Sequence, residues 1–176
     1  MLAALPVLFA GTLWFMLPVS SQDVYHYTME GRLFSVHGAN PLTTPPAAYP
    51  ADPLAWTVRA WSDTPSRYGP LFALVAAGVT RATGDSLTAT LLGFKLLMTA
   101  ALFGTAALAY FTVRRIDPAA ALPAYVFVAW NPLALYEAAA NAHNDLLMVL
   151  FTALALYLWL RGRLDLALPR SRWAPW

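Results

Sequence analysis

Residues 96–113 read LLMTAALFGTAALAYFTV, an apolar run without a single charged side chain. A helix of this length rises about 27 Å, close to the roughly 30 Å hydrocarbon core of a bilayer. Three further charge-free runs lie at residues 1–22, 118–136 and 146–160. This pattern indicates a chain built from membrane-spanning helices.

The composition of the whole chain agrees with a membrane protein. Of the 176 residues, 59% are hydrophobic and 11% are charged, whereas soluble domains carry about 25% charged residues. Such a composition excludes an ordinary soluble globule and a disordered tail. The net charge of +2 is too small to indicate nucleic-acid binding. The chain has no cysteine, which excludes disulfides and thiol catalysis.

The fold class that we predict is an all-α polytopic membrane helix bundle. Four transmembrane helices are expected at about residues 2–19, 86–113, 118–136 and 146–160. No basic residue precedes the first apolar run, so we expect a retained helix rather than a cleaved signal peptide. Residues 20–67 hold five prolines between Pro41 and Pro53, which predicts a long external loop with short interfacial helices.

A helix predicted at residues 68–81 is too short to cross the bilayer. Its apolar part, residues 70–80, would rise about 16 Å, half of the hydrocarbon thickness. We therefore expect this helix to lie along the membrane interface. The basic residues after the second and fourth spans then face the cytoplasm, as the positive-inside rule requires. The long loop and the polar segment 137–145 fall together on the outer side.

Two groups of polar residues are expected to share that outer face. Asp23 follows the first span, and a polar cluster between the third and fourth spans contains Glu137, Asn141, His143, Asn144 and Asp145. Burying a carboxylate without a partner costs several kcal/mol of free energy. A cluster of such groups at helix ends therefore favours a functional site. Asp23 is either the base that accepts a proton from a sugar hydroxyl or an ordinary helix cap, and the sequence leaves both open.

Two basic residues are candidate phosphate ligands. Lys95 lies nine residues into its span, about 13 Å below the outer surface. It either snorkels to the interface or binds a lipid phosphate. Arg67, just before the interfacial helix, has the same two interpretations.

The aromatic residues of the loop have two possible interpretations. Trp56 and Trp61, with Tyr68, either form an interfacial aromatic belt or stack on a sugar ring. Glu30 and Arg32 are expected to pair with each other at the surface, without further consequence.

The histidines do not indicate a resident metal. His26, His37 and His143 have no metal-binding spacing on one helix. We therefore predict no cofactor, and a weak Mg²⁺ or Mn²⁺ site at Asp23 and Asp145 stays open as an alternative.

Six short motifs occur in order along residues 23–160. They are Asp23-x-Tyr25, Gly31-Arg32, His37-Gly38-x-Asn40-Pro41, Arg67-Tyr68-Gly69-Pro70-Leu71, Asn131-Pro132-Leu133, and Glu137 with His143-Asn144-Asp145. Their order and spacing resemble the N-terminal part of a GT-C-type glycosyltransferase. The closest likeness is to the bacterial polyprenol-phosphate-mannose-dependent mannosyltransferases.

The resemblance implies an inverting enzyme of the bacterial plasma membrane. It would transfer mannose, or another hexose, from a polyprenyl-phosphate donor to an acceptor hydroxyl at the extracytoplasmic face, with membrane lipid as the other partner. The general base of that family corresponds to Asp23. The expected substrate-binding residues are Tyr25, Arg67, Tyr68, Lys95, Glu137, His143, Asn144 and Asp145.

Members of that superfamily have more spans than the four expected here. We therefore expect residues 1–163 to be the N-terminal part of such a membrane domain, with residues 164–176 as a tail. Two alternatives stay open, namely a non-catalytic transporter or flippase for lipid-linked sugar, and an inactive truncated relic. A transporter would be built from inverted repeats, and the sequence shows no repeat.

Overall fold

The computed structural model describes residues 4–162, and all regular secondary structure in this range is helical. This confirms the all-α prediction for the described residues. The α-helices are α1 (Ala4–Leu13), α2 (Asp23–Ser35), α3 (Gly69–Thr83), α4 (Leu87–Val113), α5 (Ala121–Ala129), α6 (Pro132–Leu135) and α7 (Asp145–Leu160). Short 3₁₀ turns lie at Pro46–Ala48, Ala55–Thr57 and Pro118–Ala120, and a π-helical turn lies at Tyr136–Ala140. Arg163 and the predicted tail at 164–176 lie outside the described residues.

Helix α4 is long and apolar enough to cross a membrane, with a mean hydropathy of 1.8 over its best window. The segments Pro118–Ala129 and Pro132–Ala140 meet this criterion only as a pair, and they are bent by 51° relative to each other. The bend lies at Asn131-Pro132, where proline cannot donate a backbone hydrogen bond. Helix α7 is apolar but has 16 residues. Among the described residues one or two helices are therefore long enough to span, and the four-span bundle stays a prediction.

Two segments differ from the predicted layout. The first helix ends at Leu13, whereas the predicted span continued to residue 19. Within the predicted loop 20–67, α2 forms a continuous helix of 13 residues, where we expected only short helical pieces. This helix carries charged residues on several sides, so it lacks the apolar run by which the other helices were found.

The described residues form two compact units, which we name by their contents. The apolar unit comprises residues 4–13, 98–139 and 144–162, and the Asp23 unit comprises residues 14–97 and 140–143. In the apolar unit, Phe9 of α1 packs edge-to-face against Trp130, with ring centroids 6.1 Å apart. Asn131 begins α6 by accepting hydrogen bonds from the backbone N–H groups of Leu133 and Ala134, as a helix N-cap does.

The core of the Asp23 unit forms where α2 packs against α3. Tyr27 is fully buried and makes edge-to-face contacts with Tyr68, Phe72 and Phe94. A Cβ atom on Gly31 would overlap the backbone carbonyl of Ala76. Glycine at position 31 therefore lets the two helix backbones approach closely.

Arg32, which we expected at the surface, is buried on the opposite side of this helix. Its Nε donates to both carboxylate oxygens of Asp52, at 2.8 and 2.9 Å. One terminal nitrogen donates to the carbonyl of Gly84 at 3.0 Å, and the other lies 2.8 Å from Asp85. The expectation of a surface pair between Glu30 and Arg32 is wrong, because both side chains are buried and Arg32 binds other partners.

Asp52 is the centre of the same network. Its carboxylate also lies 2.7 Å from His37 Nε2 and accepts the backbone N–H of Leu54 at 2.9 Å. Burial alone would raise the pKa of Asp52, but the N–H of Leu54, the His37 contact and the Arg32 guanidinium outweigh burial and lower this pKa. Asp52 therefore stays ionised and holds the proline-rich segment against α2.

Replacing Arg32 by alanine should lower the free energy of unfolding by about 3–5 kcal/mol, because Asp52 would keep a buried charge without its cation. The measurement is denaturant unfolding of the purified protein in detergent. The matched control is Arg59→Ala, since Arg59 belongs to the same unit but is exposed. Equal effects of the two substitutions would show that the buried network does not stabilise the unit.

Candidate active site

Asp23 and His143 lie next to each other although 120 positions separate them in the sequence. Asp23 is the first residue of α2, and its backbone N–H donates to Ser21 Oγ at 3.1 Å. His143 Nδ1 lies 3.4 Å from Asp23 Oδ2, a separation at which an ion pair forms when the imidazole is protonated. Both side chains are partly exposed. The structure thus brings together two residues of the predicted site.

The segment that carries His143 is fixed close to the start of α2. Asn141 is buried and its Nδ2 donates to Ser20 Oγ at 2.6 Å. Ala142 has a φ of 59°, in the left-handed region that non-glycine residues seldom adopt. Strained backbone of this kind is held by its surroundings and is enriched at functional sites. The Asn141 hydrogen bond and the backbone conformation of Ala142 together fix the orientation of the His143 side chain.

A pocket of about 50 Å³ adjoins Asp23. It is lined by Asp23, His26, Glu30, Trp61, Thr64, Pro65, Arg67 and Tyr68. Its volume is enough for a water molecule or a single hydroxyl group, but not for a sugar ring. Arg67 and Tyr68 are two more of the predicted substrate-binding residues that the structure places beside Asp23.

Trp61 forms one wall of this pocket in a strained conformation. Its φ is 63°, and with Ala142 it is one of two non-glycine residues in the described part of the chain with a positive φ. The ring is largely exposed, and the Arg67 guanidinium lies 4.4 Å from its centroid. This cation–π contact holds a flat aromatic surface and a positive charge at the mouth of the pocket.

His26 and Glu30 are buried and also line this pocket, although neither stands out in the sequence as a site residue. His26 Nε2 lies 2.5 Å from the carbonyl oxygen of Ala60, and Nδ1 lies 3.9 Å from Glu30 Oε1. Asp23, His26 and Glu30 follow one another at intervals of three and four residues. This spacing places them on one helix face and could have revealed them if residues 23–35 had been predicted as a helix.

The pKa of His26 is raised above its usual 6.5. Burial opposes the charge and is the largest single influence on this pKa, but the Glu30 carboxylate, the Ala60 carbonyl and the negative charge of Asp23 together outweigh it. The imidazole is therefore stabilised in its protonated form inside the pocket.

Five predicted substrate-binding residues remain, two in the Asp23 unit and three in the apolar unit. Lys95 is buried, and its ammonium donates to the carbonyl of Trp14 at 3.0 Å and to that of Met16. Tyr25 is half-buried on α2. Three further candidates belong to the apolar unit, namely Glu137, Asn144 and Asp145. The substrate-binding roles of these five residues stay predictions.

The described residues, 4–162, contain no group of three histidine, aspartate or glutamate side chains close enough to hold a metal ion together. The chemistry that this site can perform with its own side chains is proton transfer at Asp23 and hydrogen bonding to a polar ligand.

Comparison with known proteins identifies the family. Residues 2–173 match the family described as α-(1→6)-mannopyranosyltransferase, N-terminal domain. The chain belongs to this family. The resemblance to mannosyltransferases inferred from the motifs is thus confirmed.

Individual α-(1→6)-mannopyranosyltransferases are similar to the chain over most of its length. Mannosyltransferase A of Corynebacterium glutamicum is 31% identical over 161 residues, which cover 90% of this chain and 31% of that protein. The Mycobacterium tuberculosis protein of the same name is 32% identical over 162 residues, covering 91% and 31%. The chain spans about a third of the length of these relatives. No solved structure matches the chain.

The raised pKa of His26 predicts a pH-dependent stability. A group whose pKa is higher in the folded state stabilises the protein fully below its unfolded pKa, here 6.5, and this contribution is lost as the pH rises through the folded pKa. The thermal unfolding midpoint in detergent should therefore fall as the pH rises above 6.5 and through the raised pKa of His26.

The His26→Gln variant should show a flatter pH profile of the unfolding midpoint. Glu30→Gln should flatten it as well, because the main partner that stabilises the imidazolium is removed. If His26→Gln keeps the full pH dependence of the wild type, the His26–Glu30 interaction is not its cause.

Proposed function

We propose that the complete protein is an integral membrane glycosyltransferase of the bacterial plasma membrane. It transfers mannose, or another hexose, from a polyprenyl-phosphate donor to an acceptor hydroxyl at the extracytoplasmic face. The observation that carries this proposal is the pairing of Asp23 with His143 beside a polar pocket, in a chain of the mannopyranosyltransferase family. The transmembrane helices on which the membrane location rests are those predicted above, of which α4 is the longest.

Asp23 is proposed as the general base. Its partly exposed carboxylate accepts the proton of the acceptor hydroxyl while the hydroxyl oxygen attacks the anomeric carbon of the donor sugar. The bond from that carbon to the phosphate oxygen breaks, and the electron pair leaves with the polyprenyl phosphate. The sugar configuration inverts because the attack comes from the side opposite the leaving group.

His143 is proposed as a positioning residue for this base. Its Nδ1 lies 3.4 Å from Asp23 Oδ2, and such contacts shorten when substrate completes a site. A hydrogen bond to one carboxylate oxygen would direct the other oxygen towards the acceptor hydroxyl. The Asn141–Ser20 contact supports this role because it fixes the His143 segment at the start of α2.

Arg67 is the proposed cation for the departing phosphate. A guanidinium binds phosphate through two parallel hydrogen bonds, and stabilising charge as it develops on the leaving group lowers the barrier. The side chain is exposed at the mouth of the pocket and is oriented by stacking on Trp61. Lys95 already donates to two backbone carbonyls, so Arg67 is the better-placed candidate of the two.

Asp23→Asn in the complete protein should lower sugar transfer from the polyprenyl-phosphate donor by about 10²–10⁴-fold, because the amide cannot accept the hydroxyl proton. Transfer is measured with radiolabelled donor in membranes. Asp63→Asn is the matched control, since Asp63 is an exposed acid of the same unit and its loss should leave transfer unchanged. Undiminished transfer by a well-folded Asp23→Asn protein would remove Asp23 from the role of base.

A further inference from the structure

Glu30 has a buried oxygen that the protein does not satisfy. The residue is 2% exposed, and its Oε2 has no hydrogen-bond partner within residues 4–162. A buried carboxylate oxygen without a donor costs free energy comparable to a lost charged hydrogen bond. Native structures retain such groups seldom, and usually where a ligand or water supplies the donor.

The other oxygen of Glu30 faces His26, and the orientation of that imidazole is fixed. Nε2 lies against the carbonyl oxygen of Ala60. A carbonyl can only accept, so Nε2 must carry a hydrogen. Nδ1 is left to face Glu30 Oε1 at 3.9 Å, and a proton on Nδ1 balances the charge of the carboxylate. His26 thus accounts for the charge of Glu30 while Oε2 is left to accept from another donor.

Glu30 lines the same pocket as Asp23. The side chains of this pocket indicate which kind of ligand could donate a hydrogen bond to Oε2. Inside the pocket the two carboxylates disfavour an anion next to Oε2, whereas the Arg67 guanidinium lies against the exposed Trp61 at the mouth, where a phosphate can bind it. The room of about 50 Å³ suits one hydroxyl group rather than a whole ring. Trp61 at the mouth offers a flat surface against which a sugar ring could lie. The fitting ligand is a neutral polyhydroxylated compound that inserts one hydroxyl.

We propose that Glu30 is a specificity-determining residue whose Oε2 accepts a hydrogen bond from one hydroxyl of the sugar bound at Asp23. The inference rests on the proposed glycosyltransferase function and adds a subsite to it. Asp23 and Glu30 are seven residues apart, about 10 Å along the helix axis. The two carboxylates therefore contact different hydroxyl groups, the reacting one at Asp23 and a recognised one at Glu30.

The test compares kcat/KM for sugars that lack one hydroxyl each, in the wild type and in Glu30→Gln, using the complete protein in membranes. One series removes hydroxyls from the mannose of the donor, and a second removes them from the acceptor. In the wild type, loss of the recognised hydroxyl should lower kcat/KM by roughly ten- to a hundredfold. The series in which this occurs identifies donor or acceptor as its source.

In Glu30→Gln the acceptor becomes a neutral amide oxygen, so the penalty for that one deoxy sugar should shrink, while penalties for the other deoxy sugars stay as in the wild type. A purely structural role of Glu30 would lower kcat/KM for all sugars by the same factor and leave every ratio unchanged. Asp63→Asn should retain the wild-type ratios. Where Glu30→Gln does not elute as a folded protein on size exclusion, Glu30→Asp is used, since it withdraws the oxygens but keeps the charge.

Two outcomes overturn the inference: a wild type with no penalty for any deoxy sugar, or variants that keep the selective penalty. Failure of the proposed function is recognised separately, because Asp23→Asn would then transfer every sugar as well as the wild type does. Loss of transfer in Asp23→Asn together with unchanged ratios in the Glu30 variants would reject the Glu30 subsite alone.

Discussion

The buried guanidinium of Arg32 is the interaction on which the geometry of the Asp23 unit depends. It joins α2 to Asp52 of the proline-rich segment and to Gly84 and Asp85 between α3 and α4. Arg32 follows Asp23 by nine residues, which places the two side chains about 180° apart around the helix. The hydrogen bonds of Arg32 on one side of α2 therefore fix how the helix is rotated about its own axis. The opposite face, with Asp23, His26 and Glu30, is directed into the pocket as a consequence.

Strain at two positions accompanies this arrangement. Trp61 and Ala142 both have left-handed φ values, a conformation that costs roughly 1–2 kcal/mol for a residue with a side chain. Trp61 lines the pocket, and Ala142 precedes the histidine that faces Asp23. The three edge-to-face contacts of Tyr27, at about 0.5–1.5 kcal/mol each, are of a size to offset these local costs. The site is therefore held by packing elsewhere in the unit.

Part of this site follows from the sequence and part does not. The meeting of Asp23 and His143 was expected, because charge placement and helix length assigned both to one side of the membrane. The burial of Glu30 and Arg32 was not expected, because a helix with polar residues on several sides has no apolar periodicity by which to recognise it. A buried ion pair and a surface ion pair also look alike in sequence. Only the tertiary contacts of Asp52, distant in the chain, distinguish them.

The contact of Lys95 with the first connection has a consequence for how related sequences can diverge. Its ammonium binds the carbonyl groups of residues 14 and 16, and every amino acid supplies an identical carbonyl. Trp14 and Met16 can therefore be exchanged during evolution without losing the hydrogen bonds, whereas position 95 must keep a side chain that donates. An analysis of covarying positions would miss this contact. The lysine side chain changes with the sequence, but the backbone carbonyls that accept its hydrogen bonds do not.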